Sequence, residues 1–144
     1  MPTRTARTAW NGSLQEGSGQ VELSSSKVGT YEVNFPKRAA EDAGGVTSPE
    51  ELIAAAHSAC FAMQLSNEIA KAGGTPQSLD VTADVTLSLQ DGATITGIAL
   101  TVRAEVEGLD GDGFRKAAEA AKAGCPVSKA LAAVPITLDA ALEG

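Results

Sequence analysis

The pattern of apolar and polar positions near the start of the chain predicts three short strands, residues 10–14, 21–25 and 31–35, the last of which, Tyr31-Glu32-Val33-Asn34-Phe35, alternates apolar and polar. Gly17-Ser18-Gly19 separates the first two, Pro36 ends the third, and residues 37–46, with Gly44-Gly45, read as a loop. The pattern then changes period. Ser48, Pro49 and Glu51 suit the N-cap, N1 and N3 positions of a capping box, and residues 52–63 are apolar or small except for His57 and Ser58. A helix apolar on most sides is expected to be buried on most sides, and Gly73-Gly74 is its stop. Strict alternation returns in Leu79, Val81, Ala83, Val85, Leu87 and Leu89 and, after a Gln90-Asp91-Gly92 turn, in Ile98, Leu100, Val102, Ala104 and Val106, with Gly97 a candidate bulge. Residues 110–123 predict a second long helix with Phe114, Ala117, Ala118 and Ala121 inward. Cys125-Pro126 opens a short third one, and residues 134–142 predict a closing strand. Strands, helix, strands, helices and strand in that order give an α+β fold.

Composition sharpens this picture at one point. The 144 residues fit a single domain, 1–144, with 43% hydrophobic and 20% charged residues, but only 3% are aromatic. Alanine takes their place, and small side chains bury little area each, so a core shared with a second chain is expected. The charge balance of 11 basic against 18 acidic residues, net −7, argues against a nucleic-acid-binding face. Met1-Pro2-Thr3-Arg4 leads into no apolar signal core, and the longest unbroken apolar run, 52–56, is far too short to span a bilayer. A soluble cytoplasmic protein with no membrane partner is the expectation. No glycine-rich phosphate cradle occurs, so no nucleotide cofactor is expected.

Candidate chemistry rests on few residues. Cys60, in the apolar helix, reads first as a small core side chain, whereas Cys125 stands at a helix N-terminus, where orphan N–H groups favour a thiolate. A structural disulfide is the minority reading for a reducing compartment. Arg38 follows the third strand and reads by position as a solvated charge; Glu50 is spare once Glu51 has taken the capping position. His57 and Cys60, three apart, share a helix face, but two ligands make no metal site, so no metal is expected. Ser58 has no histidine placed to activate it, which removes serine-hydrolase chemistry.

The run Thr47-Ser48-Pro49-Glu50-Glu51-Leu52-Ile53-Ala54-Ala55-Ala56-His57-Ser58-Ala59-Cys60-Phe61 resembles the central-helix signature of the OsmC/Ohr family of thiol peroxidases, and Gly124-Cys125-Pro126-Val127-Ser128 resembles that family's second motif. The late arginine and the Ala-His-Ser-Ala-Cys wording resemble the OsmC branch. The resemblance implies an OsmC-like fold, antiparallel sheets packed on a buried central helix, in an intertwined homodimer. It implies reduction of organic hydroperoxides and hydrogen peroxide in stress defence, without a cofactor. By position, Cys60 would be the peroxidatic cysteine, Cys125 the resolving one, Arg38 the activating cation and Glu50 its carboxylate partner. A Cys60 sulfenic acid would condense with Cys125 to a disulfide, which a dithiol or lipoyl-type reductant would reopen.

One expectation is independent of the resemblance. Ten residues of helix rise about 15 Å, so Glu50 cannot reach Cys60 along a continuous helix of its own chain. A site using both needs either a break in the helix or a carboxylate from a second subunit, and a site straddling a homodimer interface is the preferred expectation. The competing reading is a non-enzymatic small-molecule binding module with inert cysteines.

Overall fold

A computed structural model describes residues 1–143. The chain divides into two compact units, one spanning Met1–Leu52 and the other running from Ile53 onward.

In the first unit β1 (Arg7–Asn11), β2 (Ser18–Glu22) and β3 (Thr30–Val33) form an antiparallel sheet in that order. The first two strands begin three residues earlier than the sequence predicts. The tight turn closes at Gly17, whose N–H donates to the Ser13 carbonyl at 2.8 Å, so Ser18 and Gly19 already belong to β2. Gly19 is opposite Trp10, and a Cβ there would meet the Ala9 carbonyl oxygen at 2.6 Å and the indole Cε3 at 2.9 Å; the glycine makes room for the neighbouring strand and its ring rather than for a turn. The loop expected over residues 37–46 is also corrected. A short helix, α1 (Phe35–Ala39), starts there, because Asn34 caps it by accepting from the Lys37 N–H at 2.9 Å and Pro36 fits the first turn.

Helix α2 (Pro49–Lys71) is unbroken over 23 residues. Ser48 accepts from the Glu51 N–H at 3.1 Å, while the Glu51 carboxylate takes the Thr47 hydroxyl. Its end is a Schellman motif: the Gly74 N–H donates to Ile69 and the Gly73 N–H to Ala70, with Gly73 at φ +89°.

In the second unit β4 (Thr75–Ser88) pairs antiparallel with β5 (Thr94–Glu107), and Asp91 and Gly92 turn the chain with positive φ. Thr96, next to Gly97, is the bulged residue. The closing strand β6 (Ile136–Leu142) pairs parallel with β5, so this sheet is mixed rather than antiparallel. A parallel neighbour requires a crossover, which α3 (Gly111–Gly124) and α4 (Pro126–Ala130) supply. Phe114, Ala117, Ala118 and Ala121 of α3 are buried, as their spacing predicts.

The core joins Phe61, Leu65 and Ile69 of α2 to Ile98, Leu100, Val102 and Ala104 of β5 and to the buried face of α3. Only that stripe of α2, with His57 at its head, is fully buried. Ala55, Ala56 and Ala59 are exposed and Met63 is 74% exposed, against the expectation of burial on most sides.

Candidate functional site

The two cysteines meet in the second unit. Cys60 comes from the middle of α2, one residue before buried Phe61, and Cys125 from the junction where α3 ends and α4 begins. Neither is bonded; the thiols touch with 3.1 Å between sulfurs. Cys125 is fully buried and Cys60 partly so. Burial pushes the Cys60 thiol up, and contact with Cys125 adds to the effect. Burial also pushes Cys125 up, but the Ser128 and Val127 N–H groups, the Cys60 thiol and the Ser128 hydroxyl outweigh it, so Cys125 is drawn below its ordinary range. Within one chain the negative charge therefore favours Cys125, at the start of α4.

Arg38 and Glu50 meet in the first unit. The short helix α1 carries Arg38, and Glu50 stands in the first turn of α2. Their contact is bidentate: Arg38 Nε donates to Oε1 at 2.8 Å and Nη2 to Oε2 at 2.8 Å. Glu50 is buried and the Arg38 side chain 31% exposed. The hydrogen bonds from Arg38 to Glu50 raise the arginine further, so it is a fixed cation. Of the two adjacent bases Lys37 and Arg38, only the arginine engages Glu50 among the described residues. Because Glu51 caps the helix, Glu50 is free for this contact, as the motif predicts.

Sequence reasoning missed two features. An apolar trough of about 370 Å³ opens beside Arg38, walled by Trp10, Leu14, Val21, Val33, Phe35 and Leu52. Its walls come from three strands and two helices, a convergence that no local motif records. The second is Ser128, buried in the first turn of α4, whose Oγ lies 2.7 Å from His57 Nε2. Its signal was its place three residues after Cys125, inside the Gly-Cys-Pro-Val-Ser run. Burial pushes the His57 pKa down, disfavouring the charged ring. Among the described residues no three His, Cys, Asp or Glu side chains gather to hold a metal ion, and no helix is long and apolar enough to cross a membrane.

The chain has clear relatives. Residues 42–139 match the family described as OsmC-like protein. The chain is 45% identical over 135 residues to Peroxiredoxin OsmC of Escherichia coli strain K12, covering 93% of this chain and 92% of that protein. Among solved structures, it is similar to the organic hydroperoxide resistance protein OhrB of Bacillus subtilis, with a TM-score of 0.71 and 25% identity over 96% of this chain and 98% of that one. It is also similar to an organic hydroperoxide resistance protein from Elizabethkingia anophelis, with a TM-score of 0.75 and 26% identity over 99% and 98% of the two chains.

Proposed function

The chain belongs to the OsmC family, and from that premise we propose that it is a cysteine-based thiol peroxidase reducing organic hydroperoxides and hydrogen peroxide. The observation that carries this reading is the pair of free thiols 3.1 Å apart on α2 and at the start of α4. The chemistry balances with those two groups. The Cys60 thiolate attacks a peroxide oxygen, the O–O bond breaks, and the leaving oxygen departs as an alcohol or water, leaving Cys60 as sulfenic acid. Cys125 then attacks the sulfenic sulfur, forming the disulfide and releasing water. A dithiol, lipoyl-type or small, reduces the bridge and is itself oxidised.

Cys60 needs a cation, since burial pushes its thiol up within a single chain. Arg38 is the candidate, held in a fixed orientation by Glu50. The continuity of α2 over 23 residues puts about 15 Å of helix between Glu50 and Cys60. The site is therefore completed in a homodimer, with Arg38 and Glu50 of one copy serving Cys60 of the other. The exposed Ala55, Ala56, Ala59 and Met63 give α2 a low, apolar face on which a second copy can pack closely. This is also where the shortage of aromatic residues is made good. The trough beside Arg38 suits the apolar tail of an organic hydroperoxide, while its guanidinium hydrogen-bonds the peroxide oxygens.

In this reading the whole chain works as a single OsmC-like domain in peroxide-stress defence, and its place of work is the cytoplasm, where dithiols are kept reduced. The binding-module alternative is not favoured: two free thiols in contact beside a helix N-terminus are poised to react, and inertness needs them apart or shielded. The deciding experiment is titration with cumene hydroperoxide. One equivalent should consume both thiols and give a Cys60–Cys125 bridge by peptide mapping; an unchanged thiol count would refute the proposal.

A further inference from the structure

His57, Cys60 and Gln64 stand three and then four residues apart on α2, so their side chains leave one face of the helix over about 10 Å of its length. Ser128, Cys125 and Gly124 meet them in the reverse order. His57 Nε2 lies 2.7 Å from Ser128 Oγ, and both side chains are buried. The sulfurs of Cys60 and Cys125 come next, 3.1 Å apart. At the far end the Gln64 amide lies across Gly124, where an added Cβ would meet Nε2 at 3.2 Å and Cδ at 3.6 Å. That amide is itself held: Nε2 donates to Glu68 Oε1 at 2.9 Å, and Lys71 Nζ donates to the same oxygen at 3.0 Å. Cys125 is the extended link between α3 and α4, at φ −63° and ψ 121°, so no helix of its own fixes its place against α2.

We propose that Gln64 and the His57–Ser128 pair are positioning groups for the disulfide. Fastened on either side of the sulfurs, they fix the register of the α3–α4 junction on α2 and so raise the effective concentration of Cys125 at Cys60. This rests on the reading in which those two cysteines form the bridge. An intramolecular bond forms readily when the reacting atoms are held close, and each contact that removes freedom from the segments carrying them adds to that advantage. The contacts and the bridge are coupled in both directions: whatever a contact contributes to closing the bridge, the bridge returns to the contact. A contact that only supports the fold behaves differently. It stabilises the dithiol and disulfide forms alike, and its loss leaves the balance between them unmoved.

That balance is read in mixtures of reduced and oxidised dithiothreitol at one fixed pH. Cys60 and Cys125 give up two electrons and two protons as their S–S bond forms, and the dithiothreitol disulfide takes them up as its own S–S bond breaks. The bridged fraction is followed by thiol labelling and mass spectrometry, and the stability of each reduced variant by its urea midpoint. Ser128→Ala removes the buried hydrogen bond to His57 and should lower the ratio of reduced to oxidised dithiothreitol at half-bridging about fivefold. Gln64→Ala frees Gly124 and should lower it about threefold. Ile69→Val thins the buried core on the same helix beyond Gln64, and should lower the urea midpoint without moving the ratio. Gln64 is only partly buried, so Gln64→Ala carries the test should Ser128→Ala fail to fold. An unmoved ratio in either folded variant would overturn the proposal, as would an equal fall in Ile69→Val, the mark of general loosening. A wild-type protein that forms no intramolecular bridge at any ratio would instead refute the disulfide reading on which the proposal rests.

Discussion

The sulfurs of Cys60 and Cys125 lie 3.1 Å apart although 65 residues separate them in the chain. A disulfide sulfur pair sits about 2 Å apart, so bond formation asks each side to move by well under an ångström. Oxidation should therefore leave the fold intact and stabilise it by about 4 kcal/mol, through the loop entropy removed from the unfolded chain. Urea denaturation of the reduced and the peroxide-oxidised protein, monitored by far-UV circular dichroism, should show matching native spectra and a higher midpoint for the oxidised form. A lower midpoint would mean that the pair must be forced together.

Replacing the two cysteines should separate the chemical steps. Cys60→Ser should abolish peroxide consumption in the presence of a dithiol. Cys125→Ser should allow a single turnover and leave Cys60 as a sulfenic acid, detectable by dimedone labelling and mass spectrometry. Multiple turnovers by Cys60→Ser would contradict the assignment of the attacking sulfur.

The Arg38–Glu50 pair allows a test of which chain each half of the site comes from. Arg38→Ala and Cys60→Ser should each be inactive alone. Mixed and allowed to exchange subunits, they should form heterodimers with one intact site, returning roughly a quarter of wild-type activity for random pairing. A site contained in a single chain would return none. Arg38→Lys keeps the charge but loses the planar fork, and should cost on the order of 100-fold in kcat/KM by steady-state peroxide consumption.

Much of this was legible in the sequence, and the limits have physical causes. The alternation in β4 and β5 and the inward face of α3 were legible because one buried face writes a regular period. The capping residues marked the start of α2 and freed Glu50 for Arg38. Helix α1 is hidden in the sequence because a proline after a strand pattern marks an end, whereas after the capping Asn34 Pro36 belongs to a first turn. The parallel placement of β6 depends on how the α3–α4 crossover returns, a long-range matter that no local pattern encodes. Ser128 and the trough beside Arg38 were missed for the same reason: each exists only when distant segments converge.

The trough predicts selectivity that can be tuned without disturbing the core. Leu14 lines it and is 57% exposed, so a polar residue there should leave the fold intact. Leu14→Asp should lower kcat/KM for cumene hydroperoxide about tenfold, the loss of one apolar contact with the aryl tail. Hydrogen peroxide has no tail to place, and its rate should change by less than about twofold. Equal losses for both substrates would show that the trough does not hold the tail.

His57 makes the fold itself sensitive to acid. Its folded pKa is lowered from 6.5 by burial, so below that value the unfolded chain binds a proton that the folded chain refuses. Stability from this group is fully present above pH 6.5 and is lost as pH falls towards the lowered folded value. His57→Gln removes the titration and keeps a polar side chain within reach of Ser128. Comparing urea midpoints at about pH 8 and about pH 5.5, where most carboxylates are still charged, wild type should lose more stability than His57→Gln. Equal losses in the two proteins would mean that the buried ring accepts a proton as readily when folded as when unfolded, contrary to its burial and its unpaired Nδ1.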